Sequence, residues 1–123
     1  ELRSGRRILD ADGLPPVDVS GVNIRMSSGI NAVPGQTPAA TTGGIGDADL
    51  ANGLGGYLEI NVDRTNSSTG ALFAFDNTGG VSNGGIYIDE LTGALRVDKM
   101  HSLANVAMRT IAGEGTEPCF AYA

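Results

Sequence analysis

The sequence predicts a mainly β protein: a small antiparallel sandwich or barrel with an extended N-terminal arm and at most one short helix. Three observations predict it. Residues 56–63 alternate, with Leu58, Ile60 and Val62 on one face and Glu59, Asn61 and Asp63 on the other. A period of two with one wet face is the pattern of a half-buried antiparallel sheet. Residues 56–98 divide into four short apolar runs separated by clusters of Gly, Asn, Asp and Ser, which is turn chemistry. The composition is acidic and glycine-rich, with 19 glycines and no tryptophan, so Val, Ile, Leu and Ala must supply most of the core.

The elements follow in order. Residues 1–18 read as an extended arm: Asp10, Asp12 and Gly13 form a turn, and Pro15 with Pro16 forbids helix and favours polyproline II. Residues 19–26 are a strand with Val22, Ile24 and Met26 facing one way. Residues 27–56 are rich in Gly, Ala, Thr and Pro and form loops, with a short helical turn at 47–52 that Gly53 stops. The chain thus divides into an arm with loops over 1–56 and a compact antiparallel β-domain over 57–123. A strand over 57–63 leads through a turn at 65–70 to a strand over 71–75, with Phe73 and Phe75 on one face. Turns at 76–80 and 82–85 precede strands 86–89 and 94–97. These two flank residues 90–93 and read as a hairpin with Gly93 in the left-handed position, Ile86 and Ile88 pairing with Leu95 and Val97. In 101–111, Leu103, Val106, Ala107, Thr110 and Ile111 fit helical spacing, and the same segment could be a strand; a short helix is the preferred reading. Gly113 and Gly115 end it, and 118–123 is a final strand. No sequence repeat of fixed period is present.

At 123 residues the chain is one domain, or a piece of one. Aromatics are 5% of residues, and small side chains bury little area at about 25 cal/mol per Å². The glycines add chain entropy that folding must overcome. These features predict stability gained from neighbouring copies in an oligomer or assembly. The net charge of −6 disfavours nucleic acid as a partner. Arg3, Arg6 and Arg7 crowd the N-terminus and are the candidate assembly arm, set against a reading as a solvated tail. A single cysteine, Cys119, makes no internal disulfide. No run of 18 apolar residues is present to cross a membrane as a helix, and no membrane partner is expected. The chain begins at Glu1, which points to a processed N-terminus or to a start within a longer protein.

Candidate chemistry is sparse. Cys119 and the single histidine, His101, lack the setting of a nucleophile–base pair. One Cys and one His nearly exclude a zinc centre. Asp10, Asp12 and Gly13 resemble the opening of an EF-hand loop, but the third ligand position is Leu14 and no glutamate closes the loop. A looser calcium site could draw on Asp10, Asp12, Asp47, Asp49, Asp63 or Asp76, although turn aspartates more often bond their own backbone. A glycosidase pair would come from Glu59, Asp63, Asp89 or Glu90, with few aromatic residues to hold a sugar. The glycine clusters at 43–46 and 53–56 lack the strand, helix and Lys-Ser/Thr of a phosphate loop. The expectation is therefore a non-enzymatic protein with no catalytic residues and no resident cofactor, calcium being the one candidate ion.

Residues 83–97 resemble the hairpins of phage virion β-proteins such as capsid decoration proteins and tail-fibre modules, and 118–122 are similar to the first strand of jelly-roll receptor-binding heads on fibres. The resemblance implies a virion structural protein, a capsid decoration or cement component. Its partners would be copies of itself and a capsid or other assembly protein. The order of apolar runs over 70–97 is also similar to the central strands of laminin-G-like sandwiches, which implies sugar or calcium binding. A third reading is an extracellular or cell-surface filament subunit assembled by strand exchange.

Overall fold

A computed structural model describes residues 1–10, 17–29, 43–48, 56–62, 70–78, 84–91 and 95–110. The described residues hold eight strands: β1 (Leu2–Arg3), β2 (Val19–Gly21), β3 (Asn23–Ser28), β4 (Leu58–Val62), β5 (Ala71–Asp76), β6 (Ile86–Glu90), β7 (Val97–His101) and β8 (Val106–Thr110). They form two four-stranded sheets, A in the order β1-β3-β5-β7 and B in the order β2-β4-β6-β8. Every pairing among them is parallel. Consecutive strands therefore lie in opposite sheets, and each strand pairs with the one two places on. The chain coils, laying one strand on each wall per turn, in four rungs: a parallel β-helix.

This corrects the expected antiparallel sandwich or barrel. Alternation reports a pleat with one buried face, and a coil shares that feature with a sandwich. Strand direction is set by connections, and no two consecutive strands here are neighbours in a sheet. The expected hairpin over 86–97 is absent for the same reason. Ile86 and Ile88 pair with Val106 and Met108, and Val97 pairs with Leu72. Gly93 lies outside the described residues, as do most of the helical turn expected at 47–52 and the strand expected at 118–123.

The expected helix over 101–111 is replaced by the end of β7 and by β8, and no helix occurs among the described residues. Five successive backbone pairings, from Ile86–Val106 to Glu90–Thr110, outweigh the helical spacing of the apolar side chains. The strand expected over 19–26 breaks at Val22 into β2 and β3, on different walls. Val22 is a corner, and its carbonyl accepts a 3.1 Å hydrogen bond from the Ala71 amide in the next rung.

A third, shorter line of contact closes the coil. Ile8 bridges to Ile45 and Ile45 to Ile86, both parallel. The Ile45 amide donates to the Gly85 carbonyl at 2.9 Å and its carbonyl accepts from the Tyr87 amide at 2.7 Å. Gly46 sits beside this line at φ 68°, where an added Cβ would overlap the Tyr87 carbonyl. Only glycine satisfies both the dihedral and the approach.

The core lies between the walls, built in columns that run along the coil. Ile24 stacks on Leu72, Met26 on Ala74 and Leu58 on Ile88, all buried. One end of the column set is polar. Asp76, the register partner of Ser28, is buried at 1% exposure and accepts from the Thr78 amide (3.0 Å), the Thr78 hydroxyl, the Gly85 amide (2.7 Å) and the Ser102 hydroxyl (2.8 Å). With the Ser28 hydroxyl, which donates to Asp76 at 3.4 Å, these donors tie three rungs together at one corner.

The boundary expected at residue 56 falls between β3 and β4, within the same two sheets. Residues 1–10 lie along the coil. Arg3 is in β1, the Arg6 carbonyl accepts from the Gly29 amide at 3.0 Å, and Arg7 pairs with Asp47 at 3.0 Å.

Candidate functional site

The parallel register places like positions of successive rungs side by side, about 4.7–4.9 Å apart. On the outer face of sheet B this makes a charged row. The Asp18 amide donates to the Glu59 carbonyl at 3.0 Å, Glu59 is the partner of Asp89, and Asp89 is the partner of Arg109. Three carboxylates therefore stand in sequence, closed at one end by a guanidinium. Like charges on adjacent strands repel, so the row needs compensation.

Arg109 supplies it at one end only. Its Nε and one terminal nitrogen each lie 2.6 Å from an Asp89 oxygen, a two-pronged ion pair that raises the arginine's own pKa further. The same guanidinium lies 3.8 Å from the centre of the Tyr57 ring, which meets Tyr87 edge-on at 5.6 Å. The arginine is held by a carboxylate on one side and a ring on the other.

The other end of the row gathers acid instead. Carboxylate oxygens of Asp10, Asp18 and Glu59 all lie within 4.8 Å of one another. Asp10 is buried at 3% exposure, and it reaches Glu59 from the N-terminal segment. Glu59 has its pKa raised from 4.5 to about 7, first by burial and then by repulsion from Asp10, with a smaller push from Asp18. Its Oε2 is closed off from solvent and has no hydrogen-bond partner among the described residues. Three converging hard oxygen donors suit calcium or magnesium.

Of the six aspartates considered for calcium, only Asp10 joins this cluster among the described residues. Asp47 is paired with Arg7. The Asp76 carboxylate is filled by the hydrogen bonds of its corner: burial acts to raise its pKa, but Thr78, Gly85 and Ser102 together bring it below the ordinary value. Asp12, Asp49 and Asp63 lie outside the described residues. Among the glycosidase candidates, Glu59 and Asp89 are neighbours on the outer face, whereas Glu90 turns inward and accepts from the Val62 amide at 3.0 Å. His101 ends β7 on the exposed side of sheet A, and Cys119 lies outside the described residues. Asp18 is the one member of the cluster that sequence patterning does not single out. Its neighbour Val19 was legible as strand, but nothing in the chain states that β2 lies against β4.

Sheet A carries the opposite sign on its outer face. Arg25, Phe73 and Lys99 form one row, and Arg3, Ser27, Phe75 and His101 another. The Arg25 guanidinium covers the Phe73 ring at 4.6 Å. Arg3, Arg6 and Arg7 are thus not brought to one point: Arg3 belongs to this face, Arg7 is held by Asp47, and Arg6 is exposed at the turn between them.

A third feature is the state of the coil's ends. Leu2 extends the Met26–Ala74 column into the first rung and is 39% exposed. Val97 pairs with Leu72 in the last rung, where the register then shifts, and is 37% exposed, and Val106, stacked on Ile86, is 39% exposed. Leu103, between β7 and β8, is 54% exposed. In the last rung Met100, the partner of Ala74, packs against the core, so apolar side chains reach both ends of the described coil.

No family model matches the chain, and no curated protein or solved structure matches it at a significant level.

Proposed function

We propose that this chain is a non-enzymatic structural module that assembles by stacking its coil end to end on copies of itself or on the end rung of a partner protein. The observation that carries this reading is the exposure of the apolar residues Leu2, Val97 and Val106 in the first and last rungs. A stacked coil requires a capping layer or another rung over its last one. Edge strands with exposed apolar side chains are templates for pairing. A rung added in register would continue the parallel ladder and cover those side chains in one step.

We place the module in a virion, as a capsid-bound or fibre component. The support is the suitability of an end-stacking coil for repetitive assembly. A cell-surface filament is the other setting in which such a coil would serve. The end-stacking role rests on the ends themselves and not on the hairpin implied by the resemblance, which the parallel coil replaces. The laminin-G-like reading requires an antiparallel sandwich and is withdrawn.

Sedimentation velocity over a concentration series tests the proposal. The wild-type chain sediments as multiples of the monomer that grow with concentration. The double variant V97K/V106K remains a monomer with an unchanged β-sheet circular dichroism spectrum. A wild-type chain that is monomeric at every concentration, or a variant that assembles as well as wild type, contradicts it.

A further inference from the structure

We propose that the outer face of sheet A binds a linear, carboxylate-bearing polysaccharide laid along the coil, with Arg3, Arg25 and Lys99 receiving its carboxylates. The site lies on a side wall, so it holds whether or not copies stack end to end.

The two walls carry the same device in different states. On sheet B the Arg109 guanidinium lies 3.8 Å from the centre of the Tyr57 ring, and both its prongs are filled by Asp89 at 2.6 Å. On sheet A the Arg25 guanidinium lies 4.6 Å from the centre of the Phe73 ring. The ring holds it in place, so little ordering cost remains when an anion arrives. No carboxylate fills its prongs among the described residues, where the ion pairs are Arg7–Asp47 and Arg109–Asp89. Arg109 shows within this molecule what such a guanidinium takes: a two-pronged carboxylate.

The charge around Arg25 points the same way. The chain carries a net charge of −6, yet one outward row of sheet A holds Arg25 and Lys99 and the next holds Arg3 and His101, all exposed. Among the described residues no carboxylate joins either row: Asp76 turns inward, and Asp98 falls at the register shift of β7.

Spacing selects the polymer. Strands lie about 4.7–4.9 Å apart, and an extended uronate chain advances by close to one strand spacing per sugar. Laid across the four strands of sheet A, its first, second and fourth sugars fall over Arg3 on β1, Arg25 on β3 and Lys99 on β7. Arg3 stands in one row, and Arg25 and Lys99 in the other. That arrangement suits a ribbon whose carboxylates alternate sides. An extended acidic peptide repeats its same-side carboxylates about 6.6–6.8 Å apart, out of step with the strands.

Calorimetric titration of the whole chain with an oligogalacturonate long enough to cross four strands, at neutral pH and low salt, tests the site. The oligomer should bind, its affinity should fall as salt rises, and its methyl ester should not bind. R25Q should lose about tenfold in affinity, the scale of one charge-assisted pair. R25K should also lose affinity, because an ammonium cannot make the two-pronged contact. K99Q leaves the Arg25–Phe73 contact in place and should lose about threefold, which keeps the test open if R25Q fails to fold. R6Q, at an exposed turn outside both rows, should titrate as wild type. No binding of the oligomer, or an R25Q affinity equal to that of R6Q, overturns the proposal. Tighter binding of polyglutamate than of the uronate overturns it too, and assigns the face to an acidic protein.

Discussion

Val97 is the register partner of Leu72, yet Leu72 is fully buried and Val97 is 37% exposed. Val97 lies in the last described rung, and a register shift separates its pairing with Leu72 from the next one, Phe73 with Lys99. In the isolated chain, truncating Leu72 to alanine should cost about 2–5 kcal/mol, while Val97→Ala should cost less than about 1 kcal/mol. Urea denaturation at low protein concentration measures both. Under assembling conditions the gap should narrow, because Val97 becomes buried.

Asp76 holds the polar corner. Replacing it with asparagine keeps the shape but sets an NH₂ group against donors that now meet a carboxylate. Asp76→Asn should cost about 2–4 kcal/mol, the scale of leaving buried donors unpaired. Equal stability of the variant in urea would show the corner to be unimportant. The native carboxyl is held below its ordinary pKa of 3.8, so its stabilising contribution is present above that value and is lost as pH falls through the lower native one. Asp76→Asn should remove that part of the acid sensitivity.

Glu59 behaves in the opposite sense. Its pKa rises from 4.5 to about 7 on folding, so between those values the folded state binds more proton than the unfolded one. In chelator, stability should therefore decline as pH rises from about 4.5 to about 7, by something near 1 kcal/mol after allowance for solvent screening. E59Q should flatten this slope. Melting temperatures measured in chelator from pH 4.5 to 8 provide the check, and an equal slope in both proteins would assign it elsewhere.

Gly46 tests the coil's third line of contact. Alanine there must adopt φ 68° and place its Cβ against the Tyr87 carbonyl. Gly46→Ala should destabilise by about 2–4 kcal/mol, combining strain with a displaced backbone. A near-neutral effect in urea denaturation would contradict the packing of Ile45 between Ile8 and Ile86.

Strand content was legible in the sequence, and strand direction was not. Leu58, Ile60 and Val62 alternate with Glu59 and Asn61, and Leu58–Val62 is a strand with that burial. Phe73 and Phe75 share a face of Ala71–Asp76, as expected. The coil stayed hidden because its rungs are unequal. One column passes from Met26 to Ala74 and then to Met100, and another from Leu58 to Ile88 and then to Met108. Such steps produce no fixed period, and without one the repeat signature of a solenoid is missing. The acidic cluster was half legible. Asp10 and Glu59 stand out as acids, but their meeting with Asp18 depends on β2 lying beside β4, a long-range pairing that local pattern does not encode. The segment 101–111 illustrates the same limit: its apolar spacing suits a helix, and its pairing with β6 makes it a strand.

Electron cryo-microscopy of the concentrated wild-type chain tests end-on growth most directly. The account predicts rods in which the strand spacing of about 4.7–4.9 Å runs unbroken along the long axis through every junction between copies. Particles that stay single, or that pair side by side through sheets A and B with Val97 and Val106 left in solvent, would contradict it.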